Sequence, residues 1–432
     1  MSSISKDIGR ITTFNILLEF LTTGKQLKLI INNHIDKLNV NDKRFVFKTC
    51  NGSIEHYILI NSIIKKYSKI NNSDKTIALL LFSIYHQLFS KNIPNYAIIN
   101  SAVELSKYKK LNNHNFINAI LRKISKIEDI DFFDNNVIHS YPKWLYDIFL
   151  KQFGYNDLSQ IINWNKTNRD IYLRQIKPGN FSKTSLFLNK NNVKFSVYNN
   201  YTDYIKIENI DSNIISTLTK NNFGYIQSPS SGFVVKLLSP KSNDIIVDAC
   251  SAPGGKSVHI SNIINNNGII YAYESNKSRF NLLKSNIKQY NTININPINS
   301  DFRKCELRNI DKILLDVPCS GTGVINRKPD IKIRLKKNHI IRFKKLQMSL
   351  LNYASKIISY GGTIVYSTCS ILEMENWQLI NDFLKNNQEF KVINANNYID
   401  SKFVDNNGAL MILPHLHHLD GMFAVRLSKC KK

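Results

Sequence analysis

From about residue 240 onward, short apolar runs alternate with helical stretches, and this alternation limits the possible folds more than any other feature of the chain. The runs are "DIIVDAC", "GIIYAYE", "TININPINSD", "DKILLDVPC" and "GGTIVYSTC". Strands separated by helices predict an α/β fold with a parallel, doubly wound sheet. Near the end, "FAVRLSK" predicts an antiparallel edge strand. In open sheets of this class, ligands lie beyond the carboxyl ends of the strands. Those ends carry chemistry here. The first strand runs into a glycine loop, the second ends at Glu274 and the third at Asp301. The fourth ends at Asp316-Val317-Pro318-Cys319, and the fifth at Thr368-Cys369.

The glycine loop, "DACSAPGGKS", ends as a phosphate-binding P-loop does, with Gly255, Lys256 and Ser257. A P-loop needs a glycine five positions before Gly255, and Cys250 stands there. Pro253 also removes an N–H from a loop whose task would be donating N–H groups to phosphate oxygens. The G-x-G-x-x-G fingerprint of dinucleotide folds is missing too. What remains is a strand-turn-helix unit whose Gly254 and Gly255 allow a ligand close to the backbone. Glu274 follows about 20 residues later, where a Rossmann-type fold puts the carboxylate that binds ribose hydroxyls. A single acidic strand end is ordinarily a solvated cap. Three in series beside a glycine loop suggest a nucleoside-shaped ligand that is not led by phosphate. Free cysteine is most often core packing. Cys319 and Cys369, however, sit in turns of small polar residues, surroundings that favour reactive thiols. If their strands are neighbours, both thiols open onto the edge that carries the ligand loop.

The rest of the chain sets the context. Apolar spacing at three and four residues predicts helices throughout residues 1–138, with Asp74 as an N-cap and Arg122 and Lys123 on the outside. Residues 139–235 form a mixed α/β connecting region. In it "RDIYLRQIK" and "TDYIKIE" read as strands and "PSSGFVVKLL" as a helix start. Residues 236–432 hold the alternating strands. The net charge of +26 points toward a polyanion, although abundant Lys, Asn and Ile are also what an A/T-rich genome produces. The six cysteines include no C-x-x-C pair, which argues against the usual zinc spacings. His415, His417 and His418 have no acidic or thiol partner at ligand spacing, so no metal is expected. Without a signal-peptide core or a membrane-length apolar run, the expected location is the cytoplasm, with no membrane contact.

"DACSAPGGK", "DVPCSGTG" and "YSTCS", in that order, resemble the motifs of RNA cytosine-carbon-5 methyltransferases that use S-adenosylmethionine. With a helical, NusB-like region in front, the chain is similar to the bacterial 16S ribosomal RNA methyltransferase B (Sun/Fmu) family over nearly its whole length. "FINAILRK", "YPKWLYD" and "LPHLHHLDGMFAVRL" match in kind. The resemblance implies a Rossmann-like class I methyltransferase domain, S-adenosylmethionine as cofactor, 16S ribosomal RNA as partner and a monomeric enzyme. It implies that Cys250, Ser251, Ala252, Pro253, Gly254, Gly255 and Lys256 wrap the cofactor's methionine end. Glu274 would then hold the ribose and Asp301 lie against the adenine, while Asp316 faces both cofactor and target base. Cys369 is similar to the family's attacking nucleophile, and Cys319 to the cysteine that assists product release.

Several positions depart from the family pattern: Ser251 for Ala, Glu274 for Asp, and Phe302 for a small residue. "IQSPSSG" (226–232) lacks the usual Asp after Gln, and "YLRQIK" (172–177) lacks Arg-x-Asn. The basic segment "INRKPDIKIRLKKNHIIRFKK" (325–345) follows the Cys319 turn directly and is expected to contact the RNA backbone. Two other functions remain open: the same chemistry on another RNA such as transfer RNA, and a catalytically silent RNA-binding protein of the same fold.

Overall fold

The structure, a computed structural model, describes residues 7–68, 72–90, 92–127, 129–167, 170–176, 181–198, 201–208 and 212–430. Arg169 and Lys177, at the ends of "RDIYLRQIK", lie outside the described residues. Two compact units are present, Met1–Ile162 with Ile325–Lys337, and Asn163–Val324 with Asn338–Lys432.

The first unit is helical. Its helices Ile8–Thr23, Leu27–Ile35, Val40–Glu55, Tyr57–Tyr67, Asp74–Phe89, Asn95–Tyr108 and His114–Ile124 share one apolar core. The helix Asp74–Phe89 is buried continuously from Ala78 to His86. A helix that is apolar on all sides belongs at the centre of its domain. Its N-cap is Ser73, whose hydroxyl accepts the Thr76 N–H at 3.3 Å. Asp74, the expected cap, instead takes the first helical position, where a carboxylate complements the helix dipole.

Part of the basic segment belongs to this unit. Asp330, Ile331 and Lys332 are buried. Lys332 Nζ donates to Glu55 O at 2.7 Å and lies 4.8 Å from the centre of the Tyr141 ring. Arg334 donates to Gly24 O at 2.9 Å, and Asp330 accepts the Leu27 N–H at 3.3 Å. Lys332 and Arg334 therefore act as internal donors, while Arg327, Lys328, Lys336, Lys337, Arg342 and Lys345 stay exposed.

The second unit contains two sheets. The smaller is antiparallel, with β1 (Ile171–Arg174), β2 (Phe195–Tyr198), β3 (Tyr201–Ile207) and β4 (Tyr225–Ile226) in the order β2-β3-β1-β4. Two of the five departures from the family pattern, "YLRQIK" and "IQSPSSG", meet here. Arg174 is almost completely buried and donates to Gln227 Oε1 at 2.7 Å and to Asn262 Oδ1 at 3.2 Å. Both "YLRQIK" and "IQSPSSG" thus contribute to a structural tie.

The larger sheet contains β5 (Ile245–Asp248), β6 (Ile269–Tyr273), β7 (Ile295–Ile298), β8 (Ile310–Asp316), β9 (Ile358–Thr368), β10 (Phe390–Ile393), β11 (Leu410–Ile412) and β12 (Met422–Lys429). Its order is β10-β12-β9-β8-β5-β6-β7, with β11 also paired to β12. Strands β5 to β9 are parallel, and β12 is antiparallel to β9. The strand "FAVRLSK" is antiparallel as expected but is not an edge, because β10 pairs along its other side. The central strands carry runs of apolar residues because both faces are covered. Ile246, Leu314 and Val365 pack into one core layer, and Val247, Leu315 and Tyr366 into the other. Strand β5 lies between β8 and β6, so the strand order reverses at β5 and β8. A crevice for ligand is expected beyond their carboxyl ends. Among the described residues, no helix is long and apolar enough to cross a membrane.

Candidate active site

Beyond β5 the chain turns through the glycine loop into the helix Gly255–Ile263. Gly254 has φ +105°, and a Cβ there would stand 2.9 Å from Leu283 Cδ1. Only glycine meets both conditions without strain. The helix Lys277–Gln289 holds the loop from outside: Arg279 donates to Ala252 O at 2.6 Å and Asn286 to Pro253 O at 2.7 Å. The backbone N–H of Ser251 donates to Tyr273 O at 2.9 Å, and its hydroxyl donates to the same oxygen at 3.0 Å. Serine at this position therefore makes a bond that the commoner alanine could not. Burial pushes the Cys250 thiol well up, which keeps it neutral.

Asp248, at the end of β5, is buried, with Ser257 Oγ donating to its Oδ2 at 2.6 Å. Its Oδ1 has no hydrogen-bond partner. Burial pushes this carboxyl up to about 7, against the opposing effect of the Ser257 hydrogen bond. Between its ordinary pKa of about 4 and the raised value, the folded chain binds a proton that the unfolded chain has lost. Stability must then fall as pH rises through that window, by up to about 1.4 kcal/mol per unit from this group. Thermal or urea unfolding should show Asp248→Asn gaining on wild type from about pH 4 to about pH 7, with no further change above. A difference that does not vary with pH would contradict this assignment.

Glu274 follows β6 and is buried, accepting the Asn276 N–H at 2.8 Å and lying 3.4 Å from Arg279 Nη1. Asp301 stands beyond β7 and turns toward its own neighbour. Arg303 donates to it through Nε at 3.0 Å and Nη2 at 2.5 Å. These Arg303 hydrogen bonds hold the Asp301 carboxyl below its ordinary range.

The adjacent strands β8 and β9 complete the site. Asp316 and Ser367 are register partners, and Ser367 Oγ donates to Asp316 Oδ1 at 3.0 Å. Lys256 Nζ reaches Asp316 Oδ2 at 2.6 Å from the glycine-loop helix. Burial works to lower the pKa of Lys256, but Asp316 overcomes it and the ammonium is held above its ordinary value, with Cys369 adding to the pull. By the same attraction, Lys256 favours negative charge on Cys369. Cys319 Sγ and Cys369 Sγ are 3.2 Å apart. The hydrogen bond to Cys369, burial, and the charges of Cys369 and Glu375 push the Cys319 thiol well up.

Cys319, Cys369, Asp316, Lys256 and the loop 250–255 therefore lie together beyond the carboxyl ends of β5, β8 and β9, while Asp301 is engaged by Arg303. Asp248, Ser367, Arg279 and Glu375 join the site without having been singled out in sequence. Asp248 carried a signal, being a strand-end carboxylate like the others; the other three did not. Among the described residues, no group of three or more His, Cys, Asp or Glu could hold a metal ion. His417 is used structurally, its Nδ1 accepting the Leu413 N–H at 2.9 Å.

The orphaned Asp248 oxygen, the Gly254 cradle and the carboxylates of Glu274 and Asp316 fit a cationic, nucleoside-bearing ligand better than a phosphate. A doubly wound sheet with this loop at the switch of strand order and an antiparallel strand beside β9, in a chain that also has a helical unit, is the architecture of a class I S-adenosylmethionine-dependent methyltransferase with a NusB-type domain, and the family matches agree. A family model described as 16S rRNA methyltransferase RsmB/F matches residues 235–428, and one described as NusB family matches residues 8–126. A relative from Photorhabdus laumondii, the ribosomal RNA small subunit methyltransferase B, is 31% identical over 366 residues, 81% of each chain. A Bacillus subtilis relative, the probable ribosomal RNA small subunit methyltransferase B, is 28% identical over 426 residues, 93% of this chain and 94% of that one. The crystal structure of PH0851 shares the fold with a TM-score of 0.85 at 22% identity, covering 98% of this chain and 99% of its own. NSun6 from Pyrococcus horikoshii with SFG has a TM-score of 0.60 at 20% identity, over 68% of this chain and 100% of its own. The chain belongs to the RsmB/F family of 16S rRNA methyltransferases.

Proposed function

We propose that this protein methylates carbon 5 of a cytosine in 16S ribosomal RNA through a covalent Cys369–cytosine adduct. The observation that carries this reading is the pair of sulfurs 3.2 Å apart, at the ends of adjacent parallel strands, beside the Lys256–Asp316 ion pair. When bound, S-adenosylmethionine supplies an electrophilic methyl group. Residues 250–256 would hold its methionine end, Glu274 its ribose and Asp301 its adenine side.

The remaining work falls to the chain's own groups. Carbon 5 of cytosine is too weak a nucleophile by itself. The Cys369 thiolate adds to carbon 6, forming an S–C6 bond and moving the C5=C6 π pair onto carbon 5. Lys256 favours that thiolate by its charge. Asp316, kept as an acceptor by Lys256 and Ser367, takes a hydrogen bond from the cytosine amino group. Once carbon 5 carries the new methyl group, its proton must leave. Cys319, having given its own proton to solvent, removes it. The C5–H electron pair then restores the C5=C6 bond, and the S–C6 pair returns to Cys369. The base must be unstacked for either sulfur to reach it.

The helical region 1–138 and residues 139–235 would bind RNA, together with the exposed cations of the 327–345 stretch, acting on phosphates. A monomer working in the cytoplasm completes the reading. It is tested with tritium-labelled methyl donor and small-subunit RNA that lacks the modification. Label at carbon 5 of cytosine in 16S RNA is the expected result. Label only in transfer RNA would move the substrate, and no label in either would leave an RNA-binding protein.

A further inference from the structure

Sulfurs in hydrogen-bond contact share a proton, and the reaction works only if that proton is on the correct one. Near Cys369 stands the Lys256 ammonium, and near Cys319 stands Glu375. Glu375 is fully buried in the turn that follows Cys369. Its Oε1 accepts the backbone N–H of Ser320 at 3.0 Å and Gln347 Nε2 at 2.9 Å. Its Oε2 accepts the Ser320 hydroxyl. Gln347 also donates to Pro318 O at 3.0 Å, so the residues on both sides of Cys319 are held through one pair of side chains. Ser320 Oγ lies 2.9 Å from Ser370 Oγ, and the Gly323 N–H donates to Cys369 O at 3.0 Å. Ser320 and Ser370 are the immediate neighbours of the two cysteines, so this buried network sets how closely the sulfurs approach. A carboxylate buried among neutral donors costs more than an apolar side chain would, unless its charge or geometry is used.

We propose that Glu375 is a positioning residue for the thiol pair: it clamps the Cys319 turn against the Cys369 turn, and its charge keeps the shared proton on Cys319. The pair is thereby polarised between Lys256 on one side and Glu375 on the other, and Cys369 becomes the nucleophile. Other titratable groups facing the pair among the described residues include Asp316 and Asp248, through Lys256, and Tyr366, whose hydroxyl donates to Glu375 O at 2.7 Å. Asp316 and Asp248 act on Lys256, and neither is among the groups that raise the Cys319 thiol, whereas Glu375 is. This inference rests on the reading of Cys369 as the attacking thiol.

The test uses the full-length chain without RNA or cofactor. Iodoacetamide alkylation is followed over roughly pH 6–9, with each modified cysteine located by mass spectrometry. In wild type, Cys369 should react first throughout. In Glu375→Gln the preference for Cys369 over Cys319 should fall about tenfold, which corresponds to about 1.4 kcal/mol. A preference left unchanged in Glu375→Gln, with only the melting temperature lowered, would reduce Glu375 to a structural part. Should that variant not fold, the wild-type order still decides, because earlier reaction at Cys319 overturns the proposal. The methylation reading fails separately, if Cys369→Ala still transfers methyl groups whatever the alkylation order.

Discussion

Cys369→Ala abolishes methyl transfer while leaving the affinities for S-adenosylmethionine and RNA close to wild type; this is the largest effect expected of any single substitution. Without a sulfur to add at carbon 6, the ring keeps its conjugation and carbon 5 has no electron pair to offer. Losing a covalent nucleophile costs on the order of 10⁴–10⁶-fold in rate. Binding persists because the groups assigned to the cofactor are in the glycine loop and at Glu274, Asp301 and Asp316. Alanine also leaves the backbone bond from the Gly323 N–H to the carbonyl of residue 369 in place. Tritium transfer and equilibrium binding, measured side by side, check this. A residual rate within about tenfold of wild type would remove Cys369 from the chemistry.

Cys319→Ala has the opposite signature. It should accumulate a protein–RNA adduct that survives denaturing electrophoresis, because the first bond forms but the last one does not break. The electrostatics explain why Cys319 is suited to the later step. Part of what holds its proton is its hydrogen bond to Cys369 and the charge on Cys369. Once the Cys369 sulfur is bonded to carbon that charge is gone, so Cys319 gives up its proton more readily when a base is needed. The adduct should carry the transferred methyl group and should vanish in the Cys319→Ala, Cys369→Ala double variant. A Cys319→Ala enzyme that turns over freely, with no retained RNA, rules out its part in release.

Much of the architecture could be read from local pattern. The five apolar runs became β5 to β9, and the helical spacing of the front region became a packed helical unit. The misreadings have specific causes. β12 looked like an edge because β10, "FKVI", is too short to stand out, yet it pairs along the outer side. Lys332 and Arg334 read as surface charge, because nothing local reveals that Glu55 O and Gly24 O lie within reach. The buried Arg174–Gln227 bond spans 53 residues and appeared in sequence only as two unrelated departures from a pattern.

Chemistry carried by one residue or one turn was present in the order of amino acids: a glycine loop without a phosphate nest, and carboxylates and thiols at strand ends. Backbone sterics and side-chain periodicity act over a few residues, so they leave local traces. Which strands lie side by side is settled by burial of both sheet faces, a property of the whole unit. Only that packing put β8 against β9 and brought two sulfurs 50 residues apart in the chain to 3.2 Å. The same packing enclosed Glu375 behind them, where its charge is little screened by water.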